Sequence, residues 1–318
     1  LLKLGPLPIN TFGVMLVLAF LTGTWYITRD AQRQGLDPEQ IQTLCWWVLG
    51  AIVLGGRVMF IITSPQPYLE NPLRIFAIWE GGLVYYGGFL ATVGTVVYFA
   101  WRDGLHIWKL TDLFTVGGML GLAIGRWGCF FAGDDHGRVI PGATDADHPF
   151  WALKFSRDVP YLGLFDGQAN HVTHPAMEPQ WMDQWLYPSQ WMMSLKAFTL
   201  FVLLAFLAKR KKFDGQLTAV LLMGYAVLRS IIELFRGDMD RGVYFQGERV
   251  MRAYLLGKAE YPGFYLTTSQ AISIALFALG LILYLVRKDK GVAKITPYKK
   301  ASAAEAEPVP SKTRAKRA

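Results

Sequence analysis

Charge is scarce in this chain. Only 18% of its 318 residues are Asp, Glu, Lys or Arg, against 53% that are apolar. That balance does not fit a soluble domain and points to a polytopic membrane protein. Cysteine is scarcer still: Cys45 and Cys129 both fall in apolar segments, so no structural disulfide is expected. Five histidines give no HExxH pattern, and no CxxC accompanies them. His171 and His174 are three apart, but Pro175 follows, and His136 merely adjoins Asp134 and Asp135; no metal and no cofactor is expected. His106 and His148 read as ordinary loop residues. There is no Ser-centred nucleophile elbow and no phosphate-cradling P-loop. No repeat pairs the two halves, which argues against a transporter. The first apolar run has no clear small-residue cleavage site, so no cleavable leader is expected.

Apolar and aromatic residues fill the space. The chain has 11 Trp and 20 Phe, with a mean hydropathy of +0.27. Seven segments are apolar enough to cross a bilayer, roughly 11–28, 41–62, 84–101, 113–131, 188–208, 216–236 and 265–286. The expected fold is therefore an all-α polytopic membrane protein of seven transmembrane helices. Gly87, Gly88, Gly117, Gly118, Gly121 and Gly125 permit close helix packing in the third and fourth spans.

The short loops set the orientation. Arg29 and Arg33 follow the first span, Arg102 and Lys109 the third, and Lys209, Arg210, Lys211 and Lys212 the fifth. These loops and the C-terminus are expected in the cytoplasm, with the N-terminus outside. The acidic 132–187 segment then forms an extracytoplasmic cap inserted in a 1–286 transmembrane domain, and the 237–264 loop lies on the same side. From Arg287 the chain turns basic and polar, so 287–318 reads as a disordered cytoplasmic tail against anionic headgroups. A nucleic-acid partner is not expected.

The few charges inside the apolar runs carry the functional signal. Arg229 and Glu233 are four apart within GYAVLRSIIELFR, and Arg236 follows one turn later. At 3.6 residues per turn they face roughly the same way. Charges in a membrane helix are costly and turn to a protein interior or polar cavity. Arg57 stands near the outer end of the second span, and GRWGCFFAGDDHGR closes the fourth with Arg126, Asp134, Asp135, His136 and Arg138. The expected topology brings all three ends to one side. Guanidinium stays charged at low dielectric and presents a fork of donors to phosphate. A lipid phosphate is the obvious anion. Other readings remain: Arg229 and Glu233 could pair only to stabilise the bundle, and Arg57 and Arg236 could snorkel to the interface. Lys196, alone in the fifth span, could face the lipid–cavity boundary or pair with a carboxylate.

Several stretches, in order, resemble one known family over roughly residues 5–286. They are INTFGVM around Phe12, LGGRVMF around Arg57, WEGGLVYYGG from Trp79, GRWGCFFAGDDHGR from Gly125, YPSQ from Tyr187 and GYAVLRSIIELFR from Gly224, with TTSQAIS from Thr267 as a weaker echo. The sequence resembles the prolipoprotein diacylglyceryl transferases of the bacterial inner membrane. The resemblance implies transfer of a diacylglyceryl group from phosphatidylglycerol to the lipobox cysteine thiol of a preprolipoprotein signal peptide, with release of glycerol phosphate. It places Arg126 at an essential signature arginine, Gly133, Gly137 and Arg138 at further signature positions, and Arg229 with Glu233 at a charged pair of the sixth span. Membrane phospholipids are the implied surroundings.

This chain also departs from the family's pattern. Tyr86 replaces the histidine of His-Gly-Gly, Cys129 an asparagine, Asp134 a glutamate, Phe12 a tyrosine, and Tyr187 a histidine before Pro-Ser-Gln. The expected catalytic group is Arg126, Asp134, Arg229, Glu233 and Tyr86, with Arg57, Arg126, Gly133, Gly137, Arg138, Arg229 and Arg236 around the lipid phosphate. Tyr86, with a phenol near pKa 10, would orient the headgroup by hydrogen bonding rather than act as a base. The alternative is a paralogue that keeps the fold and binds phospholipid or signal peptides without catalysis.

Overall fold

The computed structural model describes residues 2–4, 7–9, 11–66, 68, 71–76, 82, 84–155, 179–237, 242–259 and 261–292. His171, His174, the Trp79–Gly81 part of WEGGLVYYGG and the basic tail beyond 292 lie outside them. Helices dominate: α1 (Thr11–Arg33), α2 (Pro38–Thr63), α3 (Tyr85–Arg102), α4 (Ile107–Ala132), α5 (Ser189–Ala208), α6 (Gln216–Glu233), α7 (Glu248–Leu255) and α8 (Thr268–Arg287). In hydrocarbon a helix satisfies every backbone polar group within itself, which is why apolar runs of this length adopt it.

Among the described residues six helices, α1, α2, α4, α5, α6 and α8, are long and apolar enough to cross a membrane. α3 forms at the third expected position. It is only 18 residues long, and Tyr85 and Tyr86 at one end and Trp101 and Arg102 at the other shorten its apolar stretch. Large apolar side chains such as Trp47, Leu54, Leu195, Ile274 and Val286 point outward. A lipid-facing surface needs no polar side chains.

α4 sits at the centre. It packs along α1 on one side and α5 on another, and it touches α3 and α6. α2 pairs with α3, and α6 with α8. The α2–α3 contact depends on glycine. A Cβ on Gly87 would lie 2.2 Å from the Gly55 carbonyl oxygen, and one on Gly55 would lie 2.5 Å from that of Gly87. The two backbones touch, as small residues allow in membrane helices.

At one end of the bundle a buried carboxylate fixes α4 to the start of α6. Asp112 accepts from the Gly215 N–H (2.9 Å), the Thr218 N–H (3.0 Å) and the Thr218 hydroxyl (3.1 Å). It thus caps the N-terminus of a neighbouring helix, where unpaired N–H groups favour an anion. Lys211 lies 2.9 Å from Asp214 and 3.4 Å from Asp112. The sequence reads Lys211 as an orientation-setting cation; the fold also uses it as the counter-ion of two buried carboxylates.

At the other end a compact layer covers the bundle. β3 (Leu153–Lys154) pairs antiparallel with β4 (Trp185–Leu186), and β5 (Val243–Tyr244) with β6 (Leu266–Thr267). Val139, Phe155, Trp181, Met182 and Leu186 share one core with Met251, Tyr254, Leu255 and Tyr265. The segment after α4 and the segment after α6 therefore fold together. α7 supplies an apolar face to that core through Met251, Tyr254 and Leu255. A third pair, β1 (Leu2–Leu4) with β2 (Leu7–Ile9), precedes α1.

Candidate active site

The site is built where α4 ends. Gly133 adopts φ 74° and closes the helix, and the Asp134 N–H donates back to the Cys129 carbonyl at 3.0 Å. Glycine takes this left-handed conformation without the penalty of a Cβ. Asp135 follows with φ 56°, a conformation tolerated better by Asp than by most residues. The turn sends the two adjacent carboxylates different ways. Asp134 is exposed, and its Oδ1 accepts the N–H of Asp135 at 2.8 Å. Asp135 turns inward.

The loop then threads between α5 and α6. Gly137 pairs with Arg236, the Arg138 N–H donates to the Phe235 carbonyl at 2.9 Å, and the Tyr187 N–H donates to the Arg138 carbonyl at 3.1 Å. A Cβ on Gly137 would sit 2.1 Å from the Tyr187 carbonyl oxygen. Glycine is therefore required at this position by contact alone. From α5, the Ser189 hydroxyl donates to the Asp135 carbonyl at 2.5 Å, and the Gln190 amide to that of Asp134 at 3.0 Å.

Three guanidiniums meet beneath this loop. Asp135 Oδ2 takes Arg126 from α4, and Asp135 Oδ1 takes Arg236 from just beyond α6. Arg236 also reaches α5, where its Nη1 lies 3.5 Å from Met193 Sδ. About two turns before Arg236, on α6, Arg229 Nη1 is 2.8 Å from Glu233 Oε2. That approach is off the N–H axis, so Arg229 Nη1 is buried without a hydrogen-bond acceptor among the described residues. Its Nη2 donates to Ser269 of α8 at 3.1 Å. Arg229, Glu233 and Arg236 are all less than a tenth exposed. Burial alone would push the Asp135 carboxyl up, but Arg236, then Arg126, hold it below the usual carboxylate range.

The other residues singled out in the sequence lie apart from these contacts. Arg57 is buried and donates to the carbonyls of Arg74 (2.5 Å), Ile75 (3.2 Å) and Gly82 (3.4 Å), beneath the ring of Tyr68. It clasps the segment between α2 and α3. Arg138 stacks on Tyr187 and Tyr254, and its Nε donates to the Leu234 carbonyl at 3.2 Å, which ties the end of α6 to the covering layer. Tyr86 is 61% exposed near the start of α3.

Asp135 is the residue that sequence reasoning left without a role. Nothing in GDDHGR says which acid turns inward; the left-handed turn at Gly133 decides it. A metal fits poorly here. Ligand atoms of Cys129, Asp134 and Asp135 lie within 4.8 Å of one another, yet both oxygens of Asp135 already face guanidiniums, and Arg126 Nη1 lies 4.0 Å from the Cys129 sulfur.

Residues 1–286 match the family model described as prolipoprotein diacylglyceryl transferase. The chain belongs to the prolipoprotein diacylglyceryl transferase family. Curated relatives carry the name phosphatidylglycerol–prolipoprotein diacylglyceryl transferase. The protein from Cronobacter sakazakii is 26% identical over 295 residues, covering 89% of this chain and 90% of the relative. That from Neisseria meningitidis serogroup B is 31% identical over 249 residues, covering 76% and 84%. That from Rhodospirillum centenum is 29% identical over 298 residues, covering 91% of each. Against this family background, the charged cluster of Arg126, Asp135, Arg229, Glu233 and Arg236 is the candidate active site of a multi-pass membrane enzyme.

Proposed function

We propose that this chain transfers the diacylglyceryl group of phosphatidylglycerol to the lipobox cysteine of a prolipoprotein, within a bacterial inner membrane. The observation that carries the reading is the group of three guanidiniums, Arg229 and Arg236 buried and Arg126 partly buried, held by two carboxylates where α4 and α6 end. The names of the family's curated members supply the substrates.

In this reading the cysteine sulfur attacks the glycerol carbon that bears the phosphate. The C–S bond forms as the C–O bond to phosphate breaks, and glycerol phosphate leaves. A thiol near pKa 8.5 must first lose its proton. Both Asp135 oxygens already face guanidiniums, so Asp135 positions Arg126 and Arg236 rather than accepting that proton. Glu233 is the more deeply buried carboxylate of the cluster, and we assign it the proton. Arg126 and Arg229 meet the charge that develops on the leaving phosphate, as preorganised donors in a site sheltered from water do most effectively. Tyr86, on the exposed start of α3, is assigned to the lipid headgroup.

We take α3 as a seventh span, which puts the active site and the covering layer on the extracytoplasmic side. The 132–187 segment is then a cap, and the tail from 287 is cytoplasmic. The positive loops after α1, α3 and α5 support that orientation. The test is replacement of function. Expression in a bacterium depleted of its own transferase should restore growth and lipoprotein modification. No rescue, with the protein present in the membrane, would favour a paralogue that binds lipid or signal peptides without catalysis.

A further inference from the structure

α5 buries one face against the bundle. Gln190, Met193, Lys196, Ala197, Leu200 and Leu204 follow one another at the spacing of a helical stripe and are all buried. Lys196 is therefore turned to the protein, with 4% of its surface exposed. It stands seven residues into α5, roughly 10 Å below the helix start at 1.5 Å per residue. Met193, one turn above it, is where Arg236 touches the helix.

The environment of Lys196 is unusual. Its Nζ lies 3.8 Å from the centre of the Tyr225 ring. Among the described residues no carboxylate, carbonyl or hydroxyl accepts from it. The charges acting on it are those of the active site: Arg229, Arg126, Arg236 and Asp135. Four basic groups thus share two carboxylates, and those carboxylates are already engaged, Asp135 by Arg126 and Arg236, Glu233 by Arg229. A buried amine without an acceptor is costly in a membrane interior, and a cation facing an aromatic ring recovers only part of that cost. Arg229 Nη1, a buried donor without a hydrogen-bond acceptor among the described residues, belongs to the same cluster. An anion with several acceptor oxygens, placed between the two, would satisfy both.

We infer that Lys196 forms the floor of the phosphate subsite, binding a non-bridging oxygen of the substrate phosphate from below while Arg229 binds from the side. The identity of the phosphate rests on the transferase reading; the same contact would serve a phosphatidylglycerol headgroup or released glycerol phosphate. Lys196 is then a substrate-binding residue outside the conspicuous signature stretches.

The test compares the full-length wild type with Lys196→Met, which keeps length and apolar bulk, and with Lys196→Arg. Two properties are read. One is retention of phosphatidylglycerol over phosphatidylcholine from mixed vesicles, measured by native mass spectrometry with and without added glycerol phosphate. The other is KM and kcat for thioether formation on a lipobox peptide. In Lys196→Met we expect the preference for phosphatidylglycerol to fall about tenfold or more, as for loss of a hydrogen bond to a charged group. KM should rise by a similar factor, and Lys196→Arg should recover most of it. Displacement of the lipid by glycerol phosphate in wild type alone would assign the contact to the free phosphate as well as to the headgroup. A well-folded Lys196→Met with unchanged lipid preference overturns the inference, as does an unchanged KM with a shifted pH profile of kcat, which would make Lys196 a proton-transfer group. If wild type forms no thioether yet the lipid preference still depends on Lys196, the inference stands and the transferase reading fails.

Discussion

Asp135 and Arg236 stand 101 residues apart in sequence and meet as an ion pair beneath the loop that closes α4. Through its other oxygen Asp135 also holds Arg126. One carboxylate therefore sets the distance between the ends of two helices and the orientation of two of the three guanidiniums assigned to the site. Its neighbour Asp134 faces outward, and its Oδ1 accepts the Asp135 N–H.

This asymmetry makes the two acids separable. Asp135→Ala leaves Arg126 and Arg236 without the anion that positions them. Misplacement of such groups by about 1 Å can cost on the order of a hundredfold. Transfer activity is expected to fall by about that factor or more in Asp135→Ala, and by less than about fivefold in Asp134→Ala. Initial rates at saturating lipid would check both.

The same pair gives a pH dependence with a definite sign. Asp135 has a folded-state pKa held below its ordinary value, near 3.9 in an unfolded chain. Its contribution to stability is complete above about pH 4 and is lost as pH falls through the folded pKa, because the unfolded chain binds the proton first. Thermal denaturation of the solubilised protein should therefore show a slope below about pH 4 that Asp135→Asn reduces. Equal slopes would mean that the pair does not hold in solution.

The close backbone contact at Gly137 predicts a severe effect from a single methyl group. Gly137→Ala would drive a Cβ into the Tyr187 carbonyl and separate the signature loop from α5. Gly118, inside α4, has open space where its Cβ would lie. Gly118→Ala is expected to be neutral or stabilising by about 0.5–1 kcal/mol, and Gly137→Ala to lower both melting temperature and activity. Melting curves on the two variants decide it.

Much of this was legible beforehand. The helices appear where the apolar runs are, and the residues that converge, Arg126, Arg229, Glu233 and Arg236, are those whose charge is hard to reconcile with a membrane span. Helix ends were less visible. α1 continues through Arg29, Asp30 and Arg33, because a helix does not stop where hydrocarbon does. α7 falls in a segment that the sequence presents as loop: its 8 residues are too short and too polar to stand out, and it forms because the segment after α4 offers its apolar face a partner. The facing of Asp134 and Asp135 depends on backbone dihedrals at two residues, which composition does not encode. Lys196 stands out in the sequence as an isolated charge, but its surroundings come from α4, α6 and the segments that follow them.

Arg57 tests a different kind of role. Its donors engage backbone carbonyls of the segment between α2 and α3. Arg57→Met should lower the melting temperature by about 5 °C or more, and Arg57→Lys should not restore it, since an ammonium cannot present the guanidinium fork. A full rescue by lysine would instead identify a simple charge effect.

We propose that this cluster of guanidiniums and carboxylates performs diacylglyceryl transfer with Tyr86 and Cys129 in place. The direct measurement is the mass of a lipobox peptide after incubation with the purified protein in phosphatidylglycerol-containing membranes, beside an established transferase and a peptide whose cysteine is replaced by serine. The expected result is a gain of one diacylglyceryl unit on the cysteine, dependent on Arg126, Arg229 and Asp135. An unchanged peptide mass, with the established enzyme active alongside, would contradict it.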